Sequence, residues 1–342
     1  MKALILSGGT GTRLRPLTYS TAKQLIPLAN KPILFYLIEK LRKTGITDIG
    51  IIVGDTREEV IKAVGNGEKW DVNIDFIYQS HSLGLGHAVL TASEYLGESD
   101  FLMVLGDNML SMDLDIIIRN FYSSQANTTI LLHRVQNPAQ YGVAVVEDGC
   151  ISRLVEKPQE YVSDLILTGV YVFDQSIFPA IEKTIPSARG ELEITDAIQK
   201  QLEQGGRVTY ELNKGWWKDT GKLEDLLEAN RLILNEMESE GKVQIGKNVV
   251  IQNSIIREPV HIEEDVSITD SCIGPYTSIG RGVTIKECEI DNCIILDGAE
   301  LENINKRISK SLIGKNVSIK SGISERPFTS SFFVGDHCQI SL

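Results

Sequence analysis

The chain is poor in cysteine and has no pattern for using what it has. Its cysteines number 5 (Cys150, Cys272, Cys288, Cys293 and Cys338) and none forms a C-x-x-C pair. That argues against a disulfide framework and a structural zinc, and predicts reduced thiols in the cytoplasm. No apolar run reaches the roughly 18 residues that cross a bilayer. The first such run, Ala3–Leu6, ends at once in glycines. Neither a membrane partner nor a signal peptide is expected. Positive charge is in the minority, with 34 Lys and Arg against 46 Asp and Glu and a net charge of -12. Without a basic tail, an acidic chain is not expected to bind nucleic acid. No Ser/His/Asp or Cys/His set is visible. The Walker pattern G-x-x-x-x-G-K-[ST] is missing too. So is the third glycine of the dinucleotide loop, which counted from Gly9 and Gly11 falls on Leu14.

One absence is local. Met1 to Pro32 contains no Asp or Glu, yet carries Lys2, Arg13, Arg15, Lys23 and Lys31. Inside this positive island lie Gly8, Gly9 and Gly11, directly after the strand-like run. Glycines let backbone N–H groups approach an anion, and Arg and Lys neutralise it. The bland alternative is a tight turn after a first strand, but glycines with converging cations suit a triphosphate.

A length of 342 residues with 42% hydrophobic content predicts two domains, each with its own core. Helical spacing over Ile33–Lys43, Arg57–Val64 and Gly86–Leu96 alternates with apolar runs at Ile49–Val53, Ile74–Gln79 and Phe101–Leu105. This alternation predicts an α/β domain with a doubly wound, mostly parallel sheet, whose ligands sit beyond the carboxyl ends of the strands. Val143–Val146 and Ile151–Val155 flank Asp148-Gly149 as a hairpin, followed by a strand at Val170–Phe173 and helices at Ile194–Gln204 and Leu223–Met237.

From Val243 a new period begins. Ile245, Ile262, Ile279, Leu296 and Ile313 are each 17 residues apart, as are Ile251, Ile268 and Ile285, and Ile256, Ile273 and Ile290. Steps of six, six and five describe three short strands per coil of a hexapeptide-type parallel β-helix. Glu300 and Glu302 fall on expected apolar sites, so one coil is expected to bulge. The predicted division is an α/β domain at 1–240, including a hinge helix at 222–240, a β-helix at 241–323, and a tail at 324–342 that leaves the repeat as a possible cap.

Two carboxylates suit Mg²⁺, which takes oxygen ligands beside phosphates. Asp107 follows a buried strand, and Asp219 stands between Trp217 and Gly221. Either alone reads as a turn residue or helix cap. Together with the basic loop they suit a metal-assisted phosphate site.

These segments resemble sugar-nucleotide pyrophosphorylases. The resemblance lies in Gly8-Gly9-Thr10-Gly11-Thr12-Arg13-Leu14, Pro16, Thr18, Lys23-Gln24-Leu25, Pro27 and Asn30-Lys31-Pro32, then Glu156-Lys157-Pro158. Gly215 to Leu234 and Ile273 to Gly280 resemble the long branch of that family, the glucose-1-phosphate thymidylyltransferases that carry a left-handed β-helix. The resemblance implies that dTTP and glucose 1-phosphate form dTDP-glucose and pyrophosphate, with Mg²⁺ held by Asp107 and Asp219. It implies that Arg13, Lys23 and Lys157 carry catalysis. Gly8, Gly9, Gly11, Thr12, Arg13, Gln79, Gly84 and Asp107 would bind the nucleotide, with Gln79 reading the base. Tyr141, Gly142, Glu156, Lys157, Gly169, Tyr171 and Trp217 would bind the sugar phosphate. The carboxylates of Arg189–Asp196 would support the sugar pocket or a subunit contact in a homo-oligomer.

Rival readings remain. Leu83–His87 with Gly86 is also usual in uridylyltransferases, which would make UTP the substrate. A bifunctional chain would use the coils as an acyltransferase, which usually needs a catalytic histidine in a coil, but the neighbours of His261 give no supporting pattern. A regulatory subunit would bind sugar nucleotides without turnover, but such a protein would be expected to lose Arg13, Asp107 or Asp219. His87 is expected to serve packing or capping.

Overall fold

The computed structural model describes residues 1–9, 11–320 and 332–341. Contacts divide the chain into two compact units, Met1–Thr10 with Leu34–Trp217, and Gly11–Ile33 with Lys218–Leu342. The segment Gly11–Ile33 and the helix Leu223–Ser239 are thus grouped with the coils and not with the sheet.

The first unit is built on a sheet of nine strands among the described residues. They are β1 (Lys2–Ser7), β2 (Asp48–Val53), β3 (Asn73–Tyr78), β4 (Phe101–Leu105), β5 (Thr128–Arg134), β6 (Gly142–Glu147), β7 (Cys150–Glu156), β8 (Leu165–Phe173) and β9 (Val208–Leu212). The sheet runs β7-β6-β8-β4-β1-β2-β3, with β5 beside β8 and β9 beside β5. Strands β1 to β4 are mutually parallel; β1, β2 and β4 have the near-continuous apolar sequences that suit burial on both faces, while β3, at the edge, alternates polar and apolar residues. The later strands join through antiparallel pairings of β8 with β4, β5 and β6. β5, β9 and the helix Asp115–Ser124 were not anticipated.

Helix Ile33–Lys43 has the expected bounds. Its buried face is Ile33, Leu34, Leu37, Ile38 and Leu41, the helical stripe. Its last turn carries Lys40, Arg42 and Lys43, which complement the helix dipole. The expected helix Gly86–Leu96 is interrupted at Ala92, giving Leu85–Thr91 and Ser93–Leu96. The core gathers Leu4, Phe101, Met103, Ile130, Tyr171 and Phe173. Each such side chain contributes about 1.5–3 kcal/mol by leaving water.

In the second unit, the coil strands pair in parallel throughout. They form a parallel β-helix whose interior is a set of stacked columns. Its corners fall at left-handed positions, filled by Asn248, Asp265, Gly282, Gly298 and Asn316. Asn and Asp tolerate that conformation and bond between coils, as Asn248 Nδ2 does to Asp265 Oδ1 at 3.0 Å. The irregularity expected at Glu300 and Glu302 lies further on: those residues pair in regular register, and the shift falls between Cys288 and Ile290, opposite Ile304 and Ile308. Ile279 pairs with Ile295, and Ile295 with Ile313. Leu296, the residue picked out by a strict period, is therefore not the stacking partner. Leu301 fills the adjacent column with no exposure, so Glu300 and Glu302 stay outside.

Part of the tail is described. Residues 324–331 lie outside the described set, but Phe333–Val334 pairs with Leu312–Ile313, and Gln339–Ser341 pairs with Ser318–Lys320. Bonded residues there are 21 apart, at Ser311–Phe332 and Lys315–Asp336. Cys288 and Cys293 line the coil interior, where burial pushes their thiols up to about 11 and about 12. No helix among the described residues is long and apolar enough to cross a membrane.

Candidate active site

In the first unit, β1 and β4 end side by side, with Leu6 paired to Leu105 and Gly106 N–H donating to the Leu6 carbonyl at 2.8 Å. Gly8, Gly9 and Asp107 follow those strand ends. Gln79 follows β3, its N–H held by the Val53 carbonyl at 2.9 Å. Its side chain returns to the same edge. A Cβ placed on Gly8 would lie 3.2 Å from Gln79 Oε1, so the glycine leaves room for the amide. Gln79 Nε2 donates to His87 Nδ1 at 2.8 Å. His87 is thus a partner of Gln79 and not merely a packing or capping residue.

Gly84 has φ +99, and a Cβ there would meet the Leu192 carbonyl at 2.6 Å. Leu192 N–H donates to the Leu83 carbonyl and Gly86 N–H to the Leu192 carbonyl, both at 2.8 Å. The Arg189–Asp196 stretch therefore braces the loop before helix Leu85–Thr91.

A second group gathers at the end of β7. Glu156 faces Gly142 across the β6–β7 pair, where a Cβ would lie 2.5 Å from Thr195 Oγ1 and 3.0 Å from Glu156 Oε2. Thr195 Oγ1 donates to Glu156 Oε2 at 2.7 Å, and Arg189 Nη2 donates to Glu156 Oε1 at 3.2 Å and to Glu193 Oε1 at 2.7 Å. Lys157 Nζ lies 3.7 Å from Glu156 Oε1, and Lys157 takes a left-handed φ of 41°. A non-glycine residue held there stores strain, a feature that gathers at functional sites. The Tyr141 carbonyl accepts from Lys157 N–H at 3.0 Å, and the Tyr141 ring meets Trp217 edge-on at 5.5 Å. Trp217 Nε1 and Asn108 Nδ2 both donate to the Thr168 carbonyl. A Cβ on Gly169 would strike Leu105 at 2.5 Å. Tyr171 lies instead in the core, stacked on Phe173 with ring centroids 5.5 Å apart.

Burial pushes the Glu156 carboxyl above the ordinary glutamate value; the Thr195 bond opposes this, Glu193 adds to it, and Lys157 and Arg189 oppose it. A carboxyl raised by folding contributes stability that is full below its unfolded value and lost as pH rises through its folded value. Ionised Glu156 is therefore a burden on the fold at neutral pH. Glu156→Gln is expected to raise the melting temperature relative to the parent near about pH 8, with the gain fading toward about pH 4. Thermal melts across that range check the sign, and a pH-independent difference would refute it.

In the second unit, Gly11 has φ +63 and packs tightly. A Cβ on it would lie 2.9 Å from Thr18 Cγ2 and 3.0 Å from Lys23 Cβ. Thr18 Oγ1 donates to the Gly11 carbonyl at 2.8 Å. Thr12 and Arg13 stand exposed on the short turn Thr12–Leu14. Gly221 brings Arg13 and Asp219 together, since its missing Cβ would lie 2.9 Å from Arg13 Nη2 and 3.1 Å from Asp219 Oδ1. Thr10 lies outside the described residues.

The segment is anchored through Asn30 and Asn230. Asn30 Nδ2 donates to the carbonyls of Ile279 at 2.9 Å and His261 at 3.4 Å. Asn230, with no exposure, accepts at Oδ1 from Ala29 N–H at 2.7 Å and Ser278 Oγ at 3.1 Å, and donates from Nδ2 to the Tyr276 carbonyl at 3.2 Å. Ser20 Oγ donates to Asp336 Oδ2 at 2.8 Å. Asn30 belonged to the recognised pattern, but nothing in the sequence marked Asn230 as its companion.

Among the described residues no group of three or more His, Cys, Asp or Glu side chains could by itself hold a metal ion. Asp107 and Asp219 offer carboxylate oxygens. Each is the kind of ligand Mg²⁺ takes, an ion that keeps waters and completes its shell with substrate phosphates.

Residues 2–236 match the model of a family described as nucleotidyl transferase. The chain belongs to the nucleotidyl transferase family. Curated relatives extend the match to the coils. A glucose-1-phosphate thymidylyltransferase of Streptomyces antibioticus is 43% identical over 356 residues, covering 100% of this chain and 99% of the relative. One of Streptomyces griseus is 41% identical over 355 residues, with the same coverage of 100% and 99%. Among solved structures, a Bacillus anthracis protein described as a glucose-1-phosphate thymidylyltransferase, in complex with a sucrose, superposes with a TM-score of 0.64 at 36% identity. That match covers 68% of this chain and 94% of the other. The shared part therefore includes the nucleotidyl transferase fold, and the Streptomyces relatives share the whole length.

Proposed function

We propose that the chain transfers a thymidylyl group to glucose 1-phosphate, forming dTDP-glucose and pyrophosphate. The observation that carries this reading is the end-to-end likeness to two enzymes of that name, at 41% and 43% identity with nothing of note left over on either side. A phosphate oxygen of the sugar 1-phosphate attacks the α-phosphorus of dTTP. The new P–O bond forms as the bond to the β-phosphate bridge breaks, and the electron pair leaves with pyrophosphate. The attacking phosphate is already ionised near neutral pH, so catalysis is positioning and charge neutralisation.

Gly8, Gly9, Gly11 and Thr12 offer backbone donors to the triphosphate, and Arg13 and Lys23 neutralise it. Gln79 reads the base, beside the loop at Gly84. Glu156 accepts from sugar hydroxyls, oriented by Thr195 and Arg189. Lys157 holds the sugar phosphate, and Tyr141, Gly142, Gly169 and Trp217 shape its surroundings. Asp107 and Asp219 would hold Mg²⁺, which supplies charge neutralisation at the phosphates when bound. We further propose a catalytic domain at 1–240 and a left-handed sense for the coils at 241–323. The coils serve assembly into a homo-oligomer in the cytoplasm.

Pyrophosphate release with Mg²⁺ and glucose 1-phosphate, offering dTTP and UTP separately and in competition, tests the reading. Preference for dTTP is expected. Preference for UTP would move the chain to the uridylyl branch, and silence with both would overturn the proposal.

A further inference from the structure

An amide side chain that reads a base has two faces of opposite meaning. Its oxygen accepts and its nitrogen donates, so a half-turn of the group exchanges the pattern it presents. Thymine and uracil offer an N3–H donor beside carbonyl acceptors. Cytosine offers an N3 acceptor beside an amino donor. An unrestrained glutamine could read either by turning over.

Gln79 is restrained at both ends. Its backbone is held by the Val53 carbonyl, and its side chain is buried. Nε2 lies 2.8 Å from His87 Nδ1, and because an amide nitrogen can only donate, this contact calls for the ring tautomer that leaves Nδ1 free to accept. Oε1 is thereby directed to the glycine-loop side, 3.2 Å from the Cβ position that Gly8 leaves empty. The ring is placed in turn by the start of helix Leu85–Thr91, which Leu192 ties down on both sides of Gly84.

We propose that His87 is a positioning residue for nucleobase choice: by holding the nitrogen end of Gln79, it leaves the amide oxygen to accept from an imide N–H and so favours thymine or uracil over cytosine. The proposal rests on the reading of Gln79 as the base-reading residue. His87 touches no reacting atom and acts through Gln79 alone. Its loss should move base preference more than turnover with the preferred nucleotide. Asparagine at this position can offer its own amide oxygen as the acceptor and should preserve the arrangement.

The test is calorimetric binding of dTTP and dCTP to the full-length protein and to His87→Leu, His87→Asn and Gln79→Ala. A misread hydrogen-bonding edge is worth about ten- to hundredfold in discrimination. The parent is expected to favour dTTP by that order. His87→Leu should lose most of the preference with its melting temperature unchanged, and His87→Asn should retain it. If His87→Leu weakens both nucleotides equally, or leaves the ratio intact while Gln79→Ala abolishes it, His87 is structural and the proposal falls alone. If Gln79→Ala leaves the ratio intact, or the parent shows no preference, the reading of Gln79 falls and takes the proposal with it.

Discussion

Arg13→Ala is expected to lower kcat by about 10²- to 10³-fold, the usual cost of removing one preorganised partner of developing charge. Arg13 stands exposed on a short turn, so the fold loses little and the melting temperature should stay with the parent. Its guanidinium is set against Gly221, with Nη2 at 2.9 Å from the Cβ position that glycine lacks. Two further variants sharpen the expectation. Arg13→Lys keeps the charge but not the planar fork of donors, and should recover only part of the loss. Gly221→Ala keeps the arginine but displaces its tip, and should fall between parent and Arg13→Ala. Steady-state assays of pyrophosphate release decide the matter. A kcat for Arg13→Ala within about threefold of the parent would remove Arg13 from the charge-stabilising role.

Asn230→Ala destabilises the second unit by about 3 kcal/mol or more, the sum expected when buried backbone groups lose their partners. Oδ1 serves the Ala29 N–H and the Ser278 hydroxyl, and Nδ2 serves the Tyr276 carbonyl. All three bonds lie at a side chain with no exposure, where water cannot replace it. The Ala29 bond carries particular weight. Ala29 and Asn30 both take left-handed φ, 44° and 62°, at the turn between Pro27–Leu28 and Lys31–Pro32. Alanine has no intrinsic preference for that conformation, so the turn depends on what holds it. Chemical denaturation should show an early transition in Asn230→Ala that the parent lacks. A single transition at the parent midpoint would show that the three bonds contribute nothing net. The same variant should weaken triphosphate binding, because Lys23 and Arg13 sit on the segment that Ala29 and Asn30 anchor.

Much of this molecule could be read before its structure. Helix Ile33–Lys43 and strand Phe101–Leu105 were bounded correctly because one has a clean helical stripe and the other a pure apolar run. The coils were legible because their interior accepts one apolar residue per strand and repeats it. The errors have physical causes. Ile294, Ile295 and Leu296 are three adjacent apolar residues, so the period alone could not tell which of them faces inward. Strand Thr128–Arg134 and helix Asp115–Ser124 were missed because short apolar runs suit either state until their neighbours are known. In the site, residues within the glycine loop and around Glu156 were visible as local strings. The partners that orient them, His87 on Gln79, Thr195 and Arg189 on Glu156, and Asn230 on Ala29, depend on contacts between distant segments. No local pattern encodes such pairs.

The placement of Gly11–Ile33 among the coils has a consequence for how the protein is made. Synthesis delivers this segment before the residues that seat it. Those residues come some 200 or more positions later: Asn230 in the long helix, the carbonyls of His261 and Ile279, and Asp336. Everything from Leu34 to Trp217 emerges in between and can gather around its own core. A nascent or truncated chain would therefore carry a finished sheet together with a positively charged loop that has nowhere to settle. Non-local closure of this kind is slow, because it waits on the far end of the chain. The coil that carries Asp336 thus completes the seat of a loop that left the ribosome long before it.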